Sequence, residues 1–387
     1  MKILLIHNTY QLKGGEDSVL QNEYELLKEN DNDVELLLYD NDSIKSFADK
    51  LKVGLFAVYN NKSAKLLRQK IKQFEPDIIH VHNFFPIASP SVFYVANKMK
   101  IPIVMTLHNY RLICPNALLL RNGKICELCT DKAFPINGVI HACYRKSRIQ
   151  TFILAFMSFL HKKTKTWKTR VNKYIALTDF AKDKIVNSSL RLSANKVIVK
   201  PNFVNDFGFK TDKLDYFLFV GRLSEEKGID LLLDAFIDTK NKIEIVGNGP
   251  LHKKVLDFSI KHDNIICHGF KNKDFILKKL KNARALILSS ICYEGMPMTI
   301  LESLSVATPV IVPNIGGPNE MIENGINGLV YKSNDLNSLQ EKIELMRNND
   351  LLHDKLCKEA RLTYENKYSP EKNYDQLMKI YNNLIND

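Results

Sequence analysis

The sequence predicts two doubly wound α/β domains, each a parallel sheet flanked by helices. Three observations carry that prediction. The chain has 387 residues, long for one hydrophobic core, and its 45% apolar content supplies ample core material for two. Short apolar runs alternate with helical patterns along both halves, as strand–helix–strand units require. Loops rich in glycine and charge follow several strands, at the carboxyl edge where ligands of open α/β sheets bind.

In chain order, residues 3–7 read as strand, Gly14 and Gly15 as a loop, 17–29 as helix and 34–39 as the next strand. Residues 62–74 are helical, and 76–82 and 103–108 are strands. The stretches 174–177 and 196–200 close the first domain, 1–201. Pro201-Asn202 and the segment from Asn205 to Gly208 are turn-rich and polar, as a linker is. A second alternating series follows in 202–368, with strands at 217–220, 243–246, 265–268, 285–288 and 309–312. Residues 369–385 form a terminal helix, so 369–387 is set apart as a third segment.

Two carboxylates, Glu294 and Glu302, have seven residues between them, beginning with Gly295, Met296, Pro297 and Met298. The fixed φ of Pro297 suits the first turn of a helix, where a missing N–H costs nothing. Glu294 then lies in the loop before that helix and Glu302 in its second turn. The unpaired N–H groups between them suit a phosphate, and the carboxylates suit sugar and ribose hydroxyls. Upstream, a buried strand ends in Gly221-Arg222, and Lys227-Gly228 opens an apolar helix over 229–236. These two cations can each neutralise one charge of a diphosphate. Each segment alone also reads as an ordinary surface loop.

Together, Gly221-Arg222 with Lys227-Gly228, Gly247-Asn-Gly-Pro250, His268-Gly269-Phe270 and the Glu294/Glu302 pair resemble the family-4 retaining glycosyltransferases. Their order and spacing match over nearly the whole chain. The resemblance implies a GT-B fold, two doubly wound Rossmann-like domains facing a central cleft, with an acceptor-side first domain and a nucleotide-sugar-binding second one. The terminal helix would cross back to the first domain. Arg222 and Lys227 would hold the donor diphosphate, Glu302 the ribose and Glu294 the sugar hydroxyls. The backbone around Phe270 would meet the base. Gly14, Gly15, Gly221, Gly247, Gly295, Met296, Pro297 and Met298 would line the donor site. His108, at a strand's carboxyl end, would bond the transferred sugar near the reacting carbon. Many members carry Gly-Phe-Gly after the first glutamate, whereas Gly295-Met296-Pro297 stands here and removes one N–H donor.

The implied reaction moves a hexose-type sugar from a nucleoside diphosphate to an acceptor hydroxyl with retention. Arg222, Lys227, His108 and Glu294 are its expected catalytic groups. No cofactor is implied. The resemblance also implies metal-independent chemistry, with cations of the chain itself in place of Mg²⁺. His80 and His82 alternate on one strand face, and without a carboxylate cluster nearby in sequence they read as structural. Cys114, Cys126, Cys129 and Cys143 leave two readings open, a zinc-holding loop or four ordinary thiols.

Charge is unevenly spread. Residues 132–178 contain no Asp or Glu but ten Lys and Arg, against a formal net charge of +12. Within that tract the apolar run 152–160 and Trp167 read as a basic amphipathic surface helix, so 145–173 is a candidate for an anionic membrane surface. A lipid-linked or glycan acceptor in surface glycan synthesis fits such a tract. The start of the chain reads as strand rather than leader, and no apolar run approaches the ~20 residues of a spanning helix. The expected location is cytoplasmic, peripheral to the inner membrane face if the tract docks. The alternatives are a sugar-nucleotide epimerase or hydrolase of the same fold, or a non-catalytic polyanion binder. Nucleic acid is not an expected partner, because the basic tract lacks regularly interleaved aromatics.

Overall fold

The inner strands of both sheets are short, apolar and buried, as parallel sheets covered on two faces require. The structure is a computed structural model that describes residues 1–9, 14–40 and 56–386. Its strands are β1 (Lys2–Thr9), β2 (Asp33–Asp40), β3 (Ile78–Val81), β4 (Ile103–Leu107), β5 (Leu120–Arg121), β6 (Lys124–Ile125), β7 (Lys173–Ala176) and β8 (Val197–Val199). In the second half they are β9 (Phe217–Val220), β10 (Ile243–Val246), β11 (Ile265–Gly269), β12 (Ala285–Ile287), β13 (Val310–Pro313) and β14 (Gly328–Tyr331).

The chain divides into two units, one of residues 1–119, 126–201 and 373–387, the other of 120–125 and 202–372. The first holds a six-stranded parallel sheet in the order β2-β1-β3-β4-β7-β8. The second holds another, β11-β10-β9-β12-β13-β14. In each sheet the chain starts in the middle, winds to one edge and returns to wind toward the other. The strand order therefore reverses between β1 and β3 in one unit and between β9 and β12 in the other. The carboxyl ends of strands at such reversals diverge and leave a crevice for a ligand.

The core of the first unit includes Ile3, Leu5, Leu27, Ile78, Val104 and Ile175. The final helix, Pro370–Asn386, adds Leu377, Ile380, Tyr381 and Leu384 to that same core. Burial of each such side chain contributes roughly 1.5–3 kcal/mol, which is what holds a terminal helix in place. In the second unit Phe217, Phe219, Leu232, Phe236, Ile245 and Ile287 form the corresponding core.

The observed elements differ from the sequence expectation mainly at their ends. The helix expected to begin with Pro297 begins at Met298, and Pro297 is its N-cap with extended backbone, φ −64° and ψ 122°. Proline fixes φ but not ψ, so it fits the residue before a helix as readily as the first one. Strand β14 and the β5–β6 hairpin were not anticipated, because both runs are too short to show a period.

Candidate active site

In the second unit the loops after β9 and β12 are tied together before any side chain reaches out. Ser289 Oγ donates to the Lys227 carbonyl at 2.7 Å, and the Ile291 N–H donates to the Glu226 carbonyl at 3.0 Å. The adjacent loop after β10 fits against the first through glycine. Gly247 has φ +153°, and a Cβ placed there would stand 1.8 Å from the Gly221 carbonyl oxygen. Gly247→Ala is therefore expected to destabilise the protein by about 1–3 kcal/mol, read as a lower melting temperature.

The two residues assigned separate duties by their sequence positions meet here. Lys227 Nζ lies 2.8 Å from Glu294 Oε2, and Ser290 Oγ donates to the other carboxylate oxygen. Burial lowers the Lys227 pKa, but the adjacent Glu294 carboxylate more than offsets it, so the ammonium ion is favoured. Arg222 is exposed and, among the described residues, forms no ion pair, which leaves its guanidinium available to an anion. Glu294 is held from behind as well, since its carbonyl accepts the Gly317 N–H at 3.0 Å. A Cβ at Gly317 would stand 1.8 Å from the Gly295 carbonyl oxygen, so the Gly316-Gly317 start of helix Gly316–Met321 is part of the site's frame. Its signal in the sequence was a Gly-Gly pair with two residues between it and the end of β13.

Helix Met298–Ser305 follows, and the N–H groups of Met298 and Thr299 precede its first internal bond, from Ile300 to the Pro297 carbonyl. Met296 is buried, and its sulfur accepts the Asn202 N–H at 3.2 Å. Glu302 is buried in the second turn and paired with Lys273, a partner absent from the sequence reading. Burial pushes the Glu302 carboxyl up, and Lys273 restrains that rise only in part. Phe270, just past β11, is 79% exposed, with its ring and backbone open to solvent. His268 instead turns back to Glu244, 2.7 Å away.

In the first unit the sheet edge carries a second polar cluster. His108 follows β4 and is half-buried, and its Nε2 lies 3.1 Å from His82 Nδ1. His82 Nε2 lies 3.0 Å from Glu23 Oε1, and His80 Nδ1 lies 2.8 Å from the same oxygen. The expectation that no carboxylate accompanies His80 and His82 is thus overturned. Glu23 comes from helix Gly15–Glu29, far away in sequence but packed against the same sheet. The group is the one set of three ligand-type side chains, among the described residues, whose atoms come close enough for a metal ion. Those atoms already bond one another, and Lys200 Nζ stands 3.5 Å from Glu23 Oε2 and supplies the positive charge. Burial raises the Glu23 carboxyl, but His80, His82 and Lys200 outweigh it and hold the group well below the usual carboxylate range. Burial pushes His82 down to about 4, and His108 also lies well below the usual imidazole value.

Gly14 and Gly15 are exposed at the N-terminus of helix Gly15–Glu29. The Gly14 N–H donates to Asp17 Oδ2 at 2.8 Å, and Asn109 Nδ2 donates to Glu16 Oε1 at 2.8 Å. Two carboxylates therefore stand at this helix end, where the sequence suggested room for phosphate.

The four clustered cysteines do not gather as metal ligands, since among the described residues no three of their sulfurs come within ligand spacing. Cys114 Sγ bonds Asn116 Oδ1 at 2.9 Å, and burial pushes the Cys129 thiol up to about 11. The basic tract is also partly corrected. Trp167 is buried against Phe84, Phe93 and His161. Lys162 donates to Ser189 Oγ at 2.8 Å, and burial lowers its pKa to about 8. Both belong to the fold rather than to a docking surface.

Similarity searches agree with this architecture. Residues 202–363 match the family described as Glycosyl transferases group 1, and residues 53–206 match Glycosyltransferase Family 4. An uncharacterized glycosyltransferase of Methanocaldococcus jannaschii is 28% identical over 311 residues, 80% of this chain and 76% of that protein. The capsular polysaccharide biosynthesis glycosyltransferase CapM of Staphylococcus aureus is 24% identical over 355 residues, 82% of this chain and 88% of its own. The crystal structure of Anabaena HepE in complex with UDP-glucose superposes with a TM-score of 0.69 at 14% identity, covering 99% of this chain and 100% of that one. Two Rossmann-like units with ligand crevices at their sheet edges define a GT-B protein. This chain belongs to the family-4 GT-B glycosyltransferases.

Proposed function

We propose that the protein is a retaining, metal-independent glycosyltransferase that moves a hexose-type sugar from a UDP-sugar to a glycan or lipid-linked acceptor. The Lys227–Glu294 pair carries this reading. Its cation suits a diphosphate and its carboxylate suits sugar hydroxyls, and the two meet at the topological reversal of the second sheet. The Anabaena neighbour's complex with UDP-glucose supports the donor class, and the capsule-synthesis relative supports a surface-glycan acceptor.

In the proposed step the acceptor oxygen bonds the anomeric carbon as its bond to the leaving phosphate oxygen breaks. The acceptor proton passes to that phosphate oxygen on the same face. Arg222, Lys227 and the N–H groups of Met298 and Thr299 stabilise the charge that builds on the diphosphate. Glu302 holds the ribose, the backbone at Phe270 meets the base, and His108 bonds the transferred sugar. Gly221, Gly247 and Gly295 shape the backbone that approaches the donor. Gly14 and Gly15 line the donor site at the start of helix Gly15–Glu29. Mass spectrometry of products from a nucleotide-sugar panel with a lipid-linked acceptor tests the assignment. Hydrolysis alone, with no transfer to any acceptor, would favour the epimerase or hydrolase alternative.

The membrane-facing part of the proposal rests on helix Arg148–Lys163. Leu154, Ala155 and Met157 bury one face, whereas Ile149, Phe152 and Phe156 stay exposed on the other. Arg145, Lys146, Arg148, Lys163, Lys165 and Lys168 are exposed near them. An apolar patch ringed by cations fits an anionic bilayer surface. Among the described residues no helix is long and apolar enough to cross a membrane. Binding to anionic vesicles should be measurable, weak on neutral ones and reversed by salt. Changing Lys163, Lys165 and Lys168 to Gln removes up to ~3 kcal/mol of attraction. Unchanged sedimentation of that triple variant with anionic vesicles would leave the helix as a solvated face and favour a soluble acceptor.

A further inference from the structure

We propose that Glu23 and His82 are positioning residues that hold His108 in a single tautomer, with its proton on Nε2 and its Nδ1 bare as a hydrogen-bond acceptor for a hydroxyl of the transferred sugar. The inference rests on the placement of His108 at the sugar, and adds to it the polarity of the ring.

An ionised carboxylate only accepts hydrogen bonds. Glu23 is buried and held ionised by its three partners, so His82 Nε2, 3.0 Å away, must carry the proton it donates. His82 is neutral at ordinary pH, since burial keeps its pKa near 4. A neutral imidazole has one N–H, so His82 Nδ1 holds a lone pair. That lone pair lies 3.1 Å from His108 Nε2, which must then be the donor. His108 is neutral by the same physics of burial, and its Nδ1 is left unprotonated. The chain leaves the ring one way to meet a sugar, by accepting a bond from a hydroxyl.

The surrounding groups keep this order from reversing. Lys200 Nζ, 3.5 Å from Glu23 Oε2, is itself held at 2.9 Å by Asn373 Oδ1. His80 Nδ1 reaches both Glu23 Oε1 and the Tyr381 hydroxyl, and its Nε2 reaches Thr106 Oγ1 at 2.7 Å. Asn373 and Tyr381 both lie on the terminal helix, so that helix helps to fix the state of the relay. With His82 removed, Glu23 would still be paired with His80 and Lys200. The cluster is built to survive the test.

The experiment reads the ring nitrogens of His108 by long-range ¹H–¹⁵N NMR on the full-length protein, alongside kcat and KM. Wild type should show a protonated Nε2 and a bare Nδ1. His82→Leu removes the acceptor and should yield a mixture of tautomers with kcat about tenfold lower. His82→Asn supplies an amide oxygen near the position of Nδ1 and should restore the single tautomer and most of kcat. Glu23→Gln offers an amide N–H to His82 Nε2, so it should mix the tautomers without touching either ring, and it serves if His82→Leu does not fold. A protonated Nδ1 at His108 in wild type, or one tautomer kept in both His82→Leu and Glu23→Gln, overturns the relay. His108→Ala tests the underlying placement separately. Full activity in that variant would remove His108 from the sugar while leaving the tautomer result standing.

Discussion

Lys227→Ala is expected to lower kcat by two to three orders of magnitude, with a much smaller rise in KM. Loss of one preorganised donor to a developing oxyanion costs ~2.7–4 kcal/mol. The diphosphate charge grows as the glycosidic bond breaks, so the loss falls on the transition state more than on binding. Arg222→Ala should act in the same sense, and EDTA should leave wild-type activity largely intact. The structure adds a consequence that separate roles for Lys227 and Glu294 would not carry. Because their side chains meet at 2.8 Å, Glu294→Gln in the Lys227→Ala background should cost less than it does alone. Additive losses, or activity that requires added Mg²⁺, would show that the cation role lies elsewhere.

Glu302→Gln is expected to weaken nucleoside-diphosphate binding about tenfold to a hundredfold, because a charged hydrogen-bond partner is worth roughly 1.5–3 kcal/mol. Calorimetry on the folded variant measures this directly, and unchanged affinity would end the ribose assignment. The stability effect should run the other way. Burial raises the carboxyl above its ordinary value, so the folded state favours the protonated form. The contribution of Glu302 to stability is present at low pH and is lost as pH rises through the folded pKa. Glutamine mimics the protonated group, so at neutral pH the variant should melt no lower than wild type. Lys273 does not reverse that sign, since it is half-exposed and can return to water. Donor affinity of wild type should fall on acidification at a higher pH than an ordinary glutamate would give.

Local sequence made parts of the site legible. Gly221-Arg222 sits directly after β9, and Lys227-Gly228 and Glu294 lie in the loops that follow β9 and β12, where a buried apolar run has stopped and polar chemistry begins. Lys273, Ser290 and Gly317 were not legible. Their importance comes from which loop each one touches, and no period or motif in their own segments records that. The carboxylate partner of His80 and His82 was missed for the same reason, since Glu23 lies 57 residues before His80 on a different element. On its own helix Glu23 looks like any solvent-facing glutamate, yet it is 2% exposed.

By itself the sequence determined the two parallel sheets, because apolar runs of four or five residues separated by helical periods admit few other folds. It also determined the types of residue at each sheet edge, since turn glycines, cations and carboxylates are placed by the strands they follow. Only the tertiary structure decided how those residues are paired. Lys227 with Glu294, Glu302 with Lys273, and His108 through His82 to Glu23 are joined across loops and helices by distances that no spacing along the chain encodes. Desolvation does the rest. The same carboxylate that sequence counts as one negative charge is pushed up in Glu302, where burial dominates, and held down in Glu23, where two histidines and a lysine surround it.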